Sequence, residues 1–181
     1  MKKTLITLAI GLGLASNAAF ANTGSINFYG QVHAGTCPIL IIDPSTGLPM
    51  SRVNMGNVSV SQFKAVGDEA ALRAFGMRVT PGGGCVVGAA STATVTFTGA
   101  YGGAGTGGAL YALEPGAATD LALTIKDNDG TPVVNGTRSK AYTLDPVNPT
   151  TMIFSAAYKS VGTAVTAGSA NTDVQFLVDI P

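Results

Sequence analysis

Apolar and polar residues alternate in short stretches along much of the chain. Between residues 25 and 33, one parity holds Ile26, Phe28, Gly30 and Val32, and polar side chains hold the other. A period of two predicts a β-strand with one buried face. This strand lies ahead of the first cysteine and has no evident hairpin partner after it. The alternation therefore leaves open whose core the apolar face covers.

Further strands are predicted as far as the C-terminus. They fall in residues 37–43, near Val58 and Val60, from Phe75 to Val79, in 93–99, from Leu121 onward, in 152–161 and in 172–180. Residues 67–75 predict a single helical turn with Asp68 as its N-cap. Asp129-Gly130 predicts a turn, and Asn135-Gly136 a tight hairpin. Many short strands separated by turn signals favour an antiparallel β-sandwich.

The first 21 residues show a different pattern. Two lysines precede an apolar run from residue 5 to 15, and the small-x-small triplet Ala-Phe-Ala ends at Ala21. This layout predicts a secretory signal peptide over residues 1–21, with cleavage after Ala18 as an alternative. The apolar run is too short to span a bilayer. The mature chain is therefore expected to be exported, and about 160 residues suit one domain.

Charge excludes some classes of partner. The chain has ten basic and ten acidic residues, so removing the two lysines of the signal peptide leaves eight basic residues and a net charge of about −2. Lys and Arg do not cluster anywhere. Nothing in the sequence therefore favours binding to nucleic acid or to an anionic membrane surface.

The two cysteines, Cys37 and Cys85, predict a structural disulfide. Oxidation is the default in an exported chain. Closing a loop of this size stabilises the fold by roughly 4 kcal/mol in the chain-entropy model. A redox or metal pair is disfavoured, because the sequence has no CxxC motif and a single histidine.

Other motifs have simpler explanations than catalysis or ligand binding. The glycines Gly103, Gly105 and Gly108 match a dinucleotide fingerprint, but Pro115 interrupts the helix it requires, so a flexible loop is predicted. Asp127 and Asp129 resemble the start of a calcium loop whose later ligand positions are missing, which favours a turn.

Three further polar residues also lack a chemical role. His33 falls on the polar parity of its strand, where a solvated side chain is expected. Asn57 and Asn135 fit the glycosylation sequon, and the second equally fits a turn. With no catalytic constellation, no metal site and no cofactor motif, the sequence does not predict an enzyme.

Several stretches follow one another in a characteristic order along the mature chain. They are GSINFYGQVHAGTCPI, VNMGNVSVSQFKAVGD, CVVGAASTATVTFTG, DLALTIKDNDGTPV and the closing segment from Phe154 to Ile180. In their order and spacing, they resemble structural pilin subunits of the chaperone–usher type over essentially the whole mature length. Gly168 occupies the fourteenth place from the C-terminus, where that family has a glycine.

The resemblance implies an incomplete immunoglobulin-like sandwich that lacks one strand and is completed by a strand donated from another subunit. Residues 22–35 would form the donor extension and residues 36–181 the pilin domain. Ile26, Phe28, Gly30 and Val32 would be the donated face. The acceptor groove would be lined by Val174, Phe176, Val178 and Ile180.

The implied function is that of a structural subunit of an adhesive fimbria that polymerises by donor-strand exchange. Its partners would be other pilin subunits, a periplasmic chaperone and an outer-membrane usher, and the fimbria would contribute to cell adhesion through a host glycan receptor. The chain would pass through the periplasm to the extracellular surface. It departs from the family in lacking the penultimate Tyr, because Ile180 precedes Pro181.

Two alternatives belong to other functional classes. One is a single-domain carbohydrate-binding fimbrial adhesin that uses the glycine-rich loop at residues 99–108. The other is a secreted β-sandwich enzyme, which the missing catalytic residues disfavour. Whether the chain is a major shaft subunit or a minor one stays open.

Overall fold

The computed structural model describes residues 37–181, and the regular secondary structure in this range is almost entirely antiparallel β-strand. Two single turns of 3-10 helix, Val60–Gln62 and Thr106–Gly108, interrupt them. In this part of the chain, no helix has the length and apolarity to cross a membrane. The strands are β1 Ile39–Ile42, β2 Glu69–Val79, β3 Thr92–Gly99, β4 Gly103–Ala104, β5 Leu110–Tyr111, β6 Leu121–Asp127, β7 Pro132–Val133, β8 Tyr142–Thr143, β9 Thr150–Ser160 and β10 Val174–Asp179.

The strands form two sheets. The larger has seven strands in the order β1-β2-β9-β6-β5-β4, with β7 pairing against β6. The smaller has three strands in the order β10-β3-β8. Both sheets present alternate side chains to a shared core, so the predicted antiparallel sandwich is confirmed.

Aromatic side chains from both sheets meet in the core. Phe154 of β9 lies 5.0 Å from Phe97 of β3, ring centre to ring centre, in an edge-to-face arrangement. Phe75 of β2 stacks on Phe154 at 5.7 Å, and Tyr142 of β8 lies 5.4 Å from Phe154. Such pairs add to the apolar burial that holds the sheets together.

The helical turn predicted over residues 67–75 is wrong. These residues enter β2, which pairs with β9 and buries Phe75. A β-bulge between Ala70 and Arg73 places one extra residue on β2, and Ala71 adopts a left-handed backbone with φ +59°. Long-range pairing and burial outweigh the local helix propensity of the alanines and leucine here.

Two other local predictions also need correction. Val58 and Val60 do not form a strand: Val58 lies in an irregular segment, and Val60 begins a 3-10 turn capped by Ser59. Asn135-Gly136 does form a tight turn, closed by a hydrogen bond from Thr137 N to Val134 O. That turn is not a hairpin, because it carries the chain from β7 in the larger sheet to the edge of β3 in the smaller sheet.

Candidate functional site

Strands β1 and β10 each form an edge of their own sheet. Among residues 37–181, β1 forms a strand ladder only with β2, with one further bridge from Ile42 to Pro49, and β10 pairs only with β3. An edge strand presents unpaired backbone N–H and C=O groups along its free side. Each sheet therefore has an edge at which another strand could add.

The inner face of β10 is apolar and incompletely covered. Phe176 pairs in register with Phe97, so both side chains point toward the core. Phe97 is 3% exposed, whereas Phe176 is 38% exposed. A core-facing aromatic side chain that remains this open shows that nothing in residues 37–181 closes the sandwich over it.

The other predicted groove residues share this face. Val174 and Val178 pair with Gly99 and Val95 of β3, and Ile180 follows the end of the strand. All three are partly buried and pack against the core. The structure thus brings the four predicted residues onto one apolar face, while their role as an acceptor stays a prediction.

The sequence analysis did not identify a wall that lies beside the segment leading into β10. Residues 53–58 form it: Val53, Met55 and Val58 are partly buried against the core, while Asn54 and Gly56 are exposed. In the sequence, the alternation of apolar Val53 and Met55 with polar Asn54 is the only pattern that could have indicated a half-buried segment here. It is too short to distinguish a strand from an irregular segment.

A cleft of about 340 Å³ lies where this wall approaches the segment leading into β10. Its lining is mainly small or apolar, and it mixes residues from both segments with side chains of β6 and β9. The lining residues are Gly56, Asn57, Val58, Val60, Phe63, Ala118, Leu121, Tyr158, Val165, Thr166, Ala167, Gly168, Ser169, Ala170 and Asn171.

Gly168 lies in this cleft and lets two segments approach closely. A Cβ atom there would lie 3.1 Å from the backbone nitrogen of Ala118. Next to it, Ala118 N donates to Ser169 O at 2.8 Å, and Glu114 N donates to Asn171 O at 2.9 Å. A side chain at residue 168 would push these segments apart, which gives a structural reason for glycine.

The predicted disulfide between Cys37 and Cys85 is present. Cys37 lies two residues before β1, and Cys85 is buried in the connection between β2 and β3. The bond therefore ties the start of edge strand β1 to the core. The predicted donor residues Ile26, Phe28, Gly30 and Val32, together with His33, lie outside the described residues.

The remaining motifs form ordinary loops. Gly103 belongs to β4, and residues 106–108 form a single 3-10 turn, so the glycine motif does not begin a helix. Asp127 and Asp129 flank the turn between β6 and β7, and the Asp127 carboxylate accepts from the Tyr142 hydroxyl at 2.7 Å. Within residues 37–181, no group of three or more His, Cys, Asp or Glu side chains could hold a metal ion.

The fold is that of the pilins of chaperone–usher fimbriae. A chaperone–usher pilus structure superposes with a TM-score of 0.60 at 21% identity, covering 88% of this chain and 96% of that one. The P pilus rod subunit PapA gives a TM-score of 0.57 at 22% identity, covering 80% and 99%. The immunoglobulin-like sandwich predicted from the sequence is confirmed by these likenesses.

The fimbrial protein family model matches residues 26–181, and the chain belongs to that family. Fimbrial-like protein FimF of Salmonella typhimurium is 32% identical over 179 residues, covering 96% of each chain. Long polar fimbria protein A of the same organism is 29% identical over 181 residues, covering 97% of this chain and 95% of the relative. The chain is accordingly a structural subunit of an extracellular fimbria, from a family of structural proteins rather than enzymes.

Proposed function

We propose that this subunit joins its neighbours by donor-strand exchange. The observation that supports this most directly is Phe176, a core-facing side chain left open beside the unpaired edge of β10. A strand added at that edge would gain backbone hydrogen bonds, and its inward side chains would cover the face of β10.

Residues 22–35 of a second subunit have the chemistry required of that strand. Ile26, Phe28, Gly30 and Val32 repeat with a period of two, and the segment contains no Asp, Glu, Lys or Arg. Burying the apolar side chains of that parity would contribute roughly 5 to 10 kcal/mol at the usual values per residue. The edge of β10 is six residues long, which is close to the seven-residue span from Ile26 to Val32.

The same open groove supports a chaperone and an usher as further proposed partners. An exposed apolar edge is an aggregation hazard until a partner covers it. We therefore assign a periplasmic chaperone as the first occupant, an outer-membrane usher as the site of exchange, and passage through the periplasm to the cell surface. The assembled fimbria would contribute to adhesion.

Capture of a labelled peptide tests this proposal. The full mature chain, residues 22–181 with the disulfide intact, is diluted from urea into buffer containing a fluorescent peptide of residues 22–35. We expect fluorescence anisotropy to rise as the peptide is captured, whereas a peptide carrying Phe28→Asp should give no rise. A chain that refolds as a cooperative monomer without capturing either peptide would overturn the proposal.

A further inference from the structure

Arg73 is a charged residue at a core-facing position of β2. It lies opposite Ala156 of β9, on the same face as Phe75 and Met77. Those neighbours are buried, yet Arg73 is exposed. Because the side chain remains exposed to solvent, a charged group can occupy this core-facing position without being desolvated.

The β-bulge in β2 is what turns Arg73 inward. Ala70 pairs with Tyr158, so an unbroken register would place Leu72 opposite Ala156. The extra residue instead puts Arg73 there and leaves Leu72 62% exposed. The bulge thus turns an apolar side chain out to solvent and a charged one inward. This arrangement buries less apolar surface than an unbroken register would, so apolar burial does not account for it.

The guanidinium of Arg73 reaches the wall formed by residues 53–58. Its Nε donates to the backbone oxygen of Asn54 at 3.2 Å, and a Cβ added at Gly56 would lie 3.4 Å from Nη2. Among residues 37–181, no other hydrogen bond joins residues 53–58 to the larger sheet. This wall is therefore held by apolar contacts and by a single side chain.

We infer that Arg73 is a positioning residue for strand capture, an inference that rests on the proposed function. In an extended segment, successive residues direct their backbone groups to opposite edges. Holding the Asn54 carbonyl toward the Arg73 side chain of β2 leaves the backbone groups of Val53 and Met55 pointing away from β2. Neither of these N–H groups donates to another described residue. They are thus available to pair with an incoming strand.

Arg73→Met tests this inference because it keeps an apolar stem of similar length and removes the donor. We expect the second-order rate constant for capture of the peptide of residues 22–35 to fall about three- to tenfold, as for loss of one hydrogen bond that aligns the wall. Arg73→Lys, which keeps a donor, should restore part of the rate. Arg78→Met is the matched control, because Arg78 also donates to a loop carbonyl, that of Gly47, away from the cleft.

Two further measurements separate positioning from general stability. Hydrogen exchange in the wild-type complex should show protection of the Val53 and Met55 amides on capture, and this protection should weaken in Arg73→Met. The thermal midpoint of the completed complex should change little. An unchanged capture rate in Arg73→Met, or equal slowing in Arg78→Met, would overturn the inference. If the wild-type chain captures no peptide, the proposed function fails and this inference fails with it.

Discussion

Two phenylalanines in one register pair differ in how well they are covered. Phe97 on β3 is enclosed by Phe75 and Phe154 of the opposite sheet, whereas Phe176 beside it on β10 remains open. The chemistry of the two residues is identical and their side chains face the same way. Their difference in exposure therefore reports a gap in the surrounding structure, and this gap is what the proposed donor strand would fill.

Phe176→Asp should prevent capture of the peptide of residues 22–35. A carboxylate on the inner face of β10 would become buried without a partner when the strand adds, which costs several kcal/mol. Leu177→Asp is the matched control, because Leu177 lies on the same strand, faces outward and is already 51% exposed. Anisotropy should show no capture by the first variant and near-normal capture by the second. Normal capture by Phe176→Asp would place the donated strand elsewhere.

Tyr142→Phe should destabilise the domain through Asp127. The Tyr142 hydroxyl donates to the buried Asp127 carboxylate, linking the smaller sheet to the larger. Burial, with Asp127 beside it, raises the pKa of Tyr142, so the hydroxyl stays protonated and remains a donor. Removing a hydrogen bond to a charged group costs about 1.5 to 3 kcal/mol. Urea unfolding of the peptide-bound chain measures the loss, and Tyr101→Phe, at the exposed pair with Asp173, should cost less.

At the scale of elements, the sequence predicts strands best where apolar and polar residues alternate over a long stretch, because the buried and the exposed face of the strand are then both evident. The stretches that became β3, β9 and β10 were predicted within a few residues of their observed bounds. Their apolar parity is continuous, and the core accepts it without interruption. The apolar face of β10 follows from that parity, whereas its role as an acceptor rests on the family resemblance and stays a prediction.

The mistaken elements depend on information that is not local. The bulge in β2 is defined by pairing with β9, far along the chain, and the residues around it have ordinary helix propensities. Asn135-Gly136 specifies a turn but not which strands it connects. The wall at residues 53–58 is not paired with any described strand. Its position therefore depends on the hydrogen bond from Arg73 and on apolar packing against the core, which no alternation in the sequence reveals.

The donor element offers a prediction about a single glycine. A glycine within a strand usually marks close approach of another backbone, so Gly30 is expected to face a shallow part of the groove. A peptide of residues 22–35 carrying Gly30→Leu should be captured far more slowly, although the change adds apolar surface. Peptides with Gln31→Ala or His33→Ala should behave like the wild type, since those residues lie on the polar parity. Equal capture of the Gly30→Leu peptide would show that the register is wrong.

At the scale of the whole molecule, the sandwich is closed on one side and open on the other. Aromatic packing, the Tyr142–Asp127 link and the disulfide secure the closed part. The open part includes the edge of β10, and the wall at residues 53–58 borders the cleft beside the segment that leads into this strand. Under the proposed function, the strand that joins two subunits also completes the fold, so we expect stability and assembly to depend on the same surface.

Supplying the missing strand within one chain should convert the subunit into a stable monomer. We expect this of a mature chain with a second copy of residues 22–35 appended after Pro181 through a short Gly/Ser linker. A strand antiparallel to β10 begins close to that end, so the link makes capture intramolecular and raises the effective concentration to the millimolar range. A gain of roughly 5 kcal/mol corresponds to a rise in thermal midpoint of about 10 to 20 °C for a domain of this size. Calorimetry and light scattering should show this rise together with loss of self-association. An appended copy carrying Phe28→Asp should give neither effect. If the two appended chains proved equally stable, the linker rather than the strand would be responsible, and the opening beside β10 would not be the site that a donated strand completes.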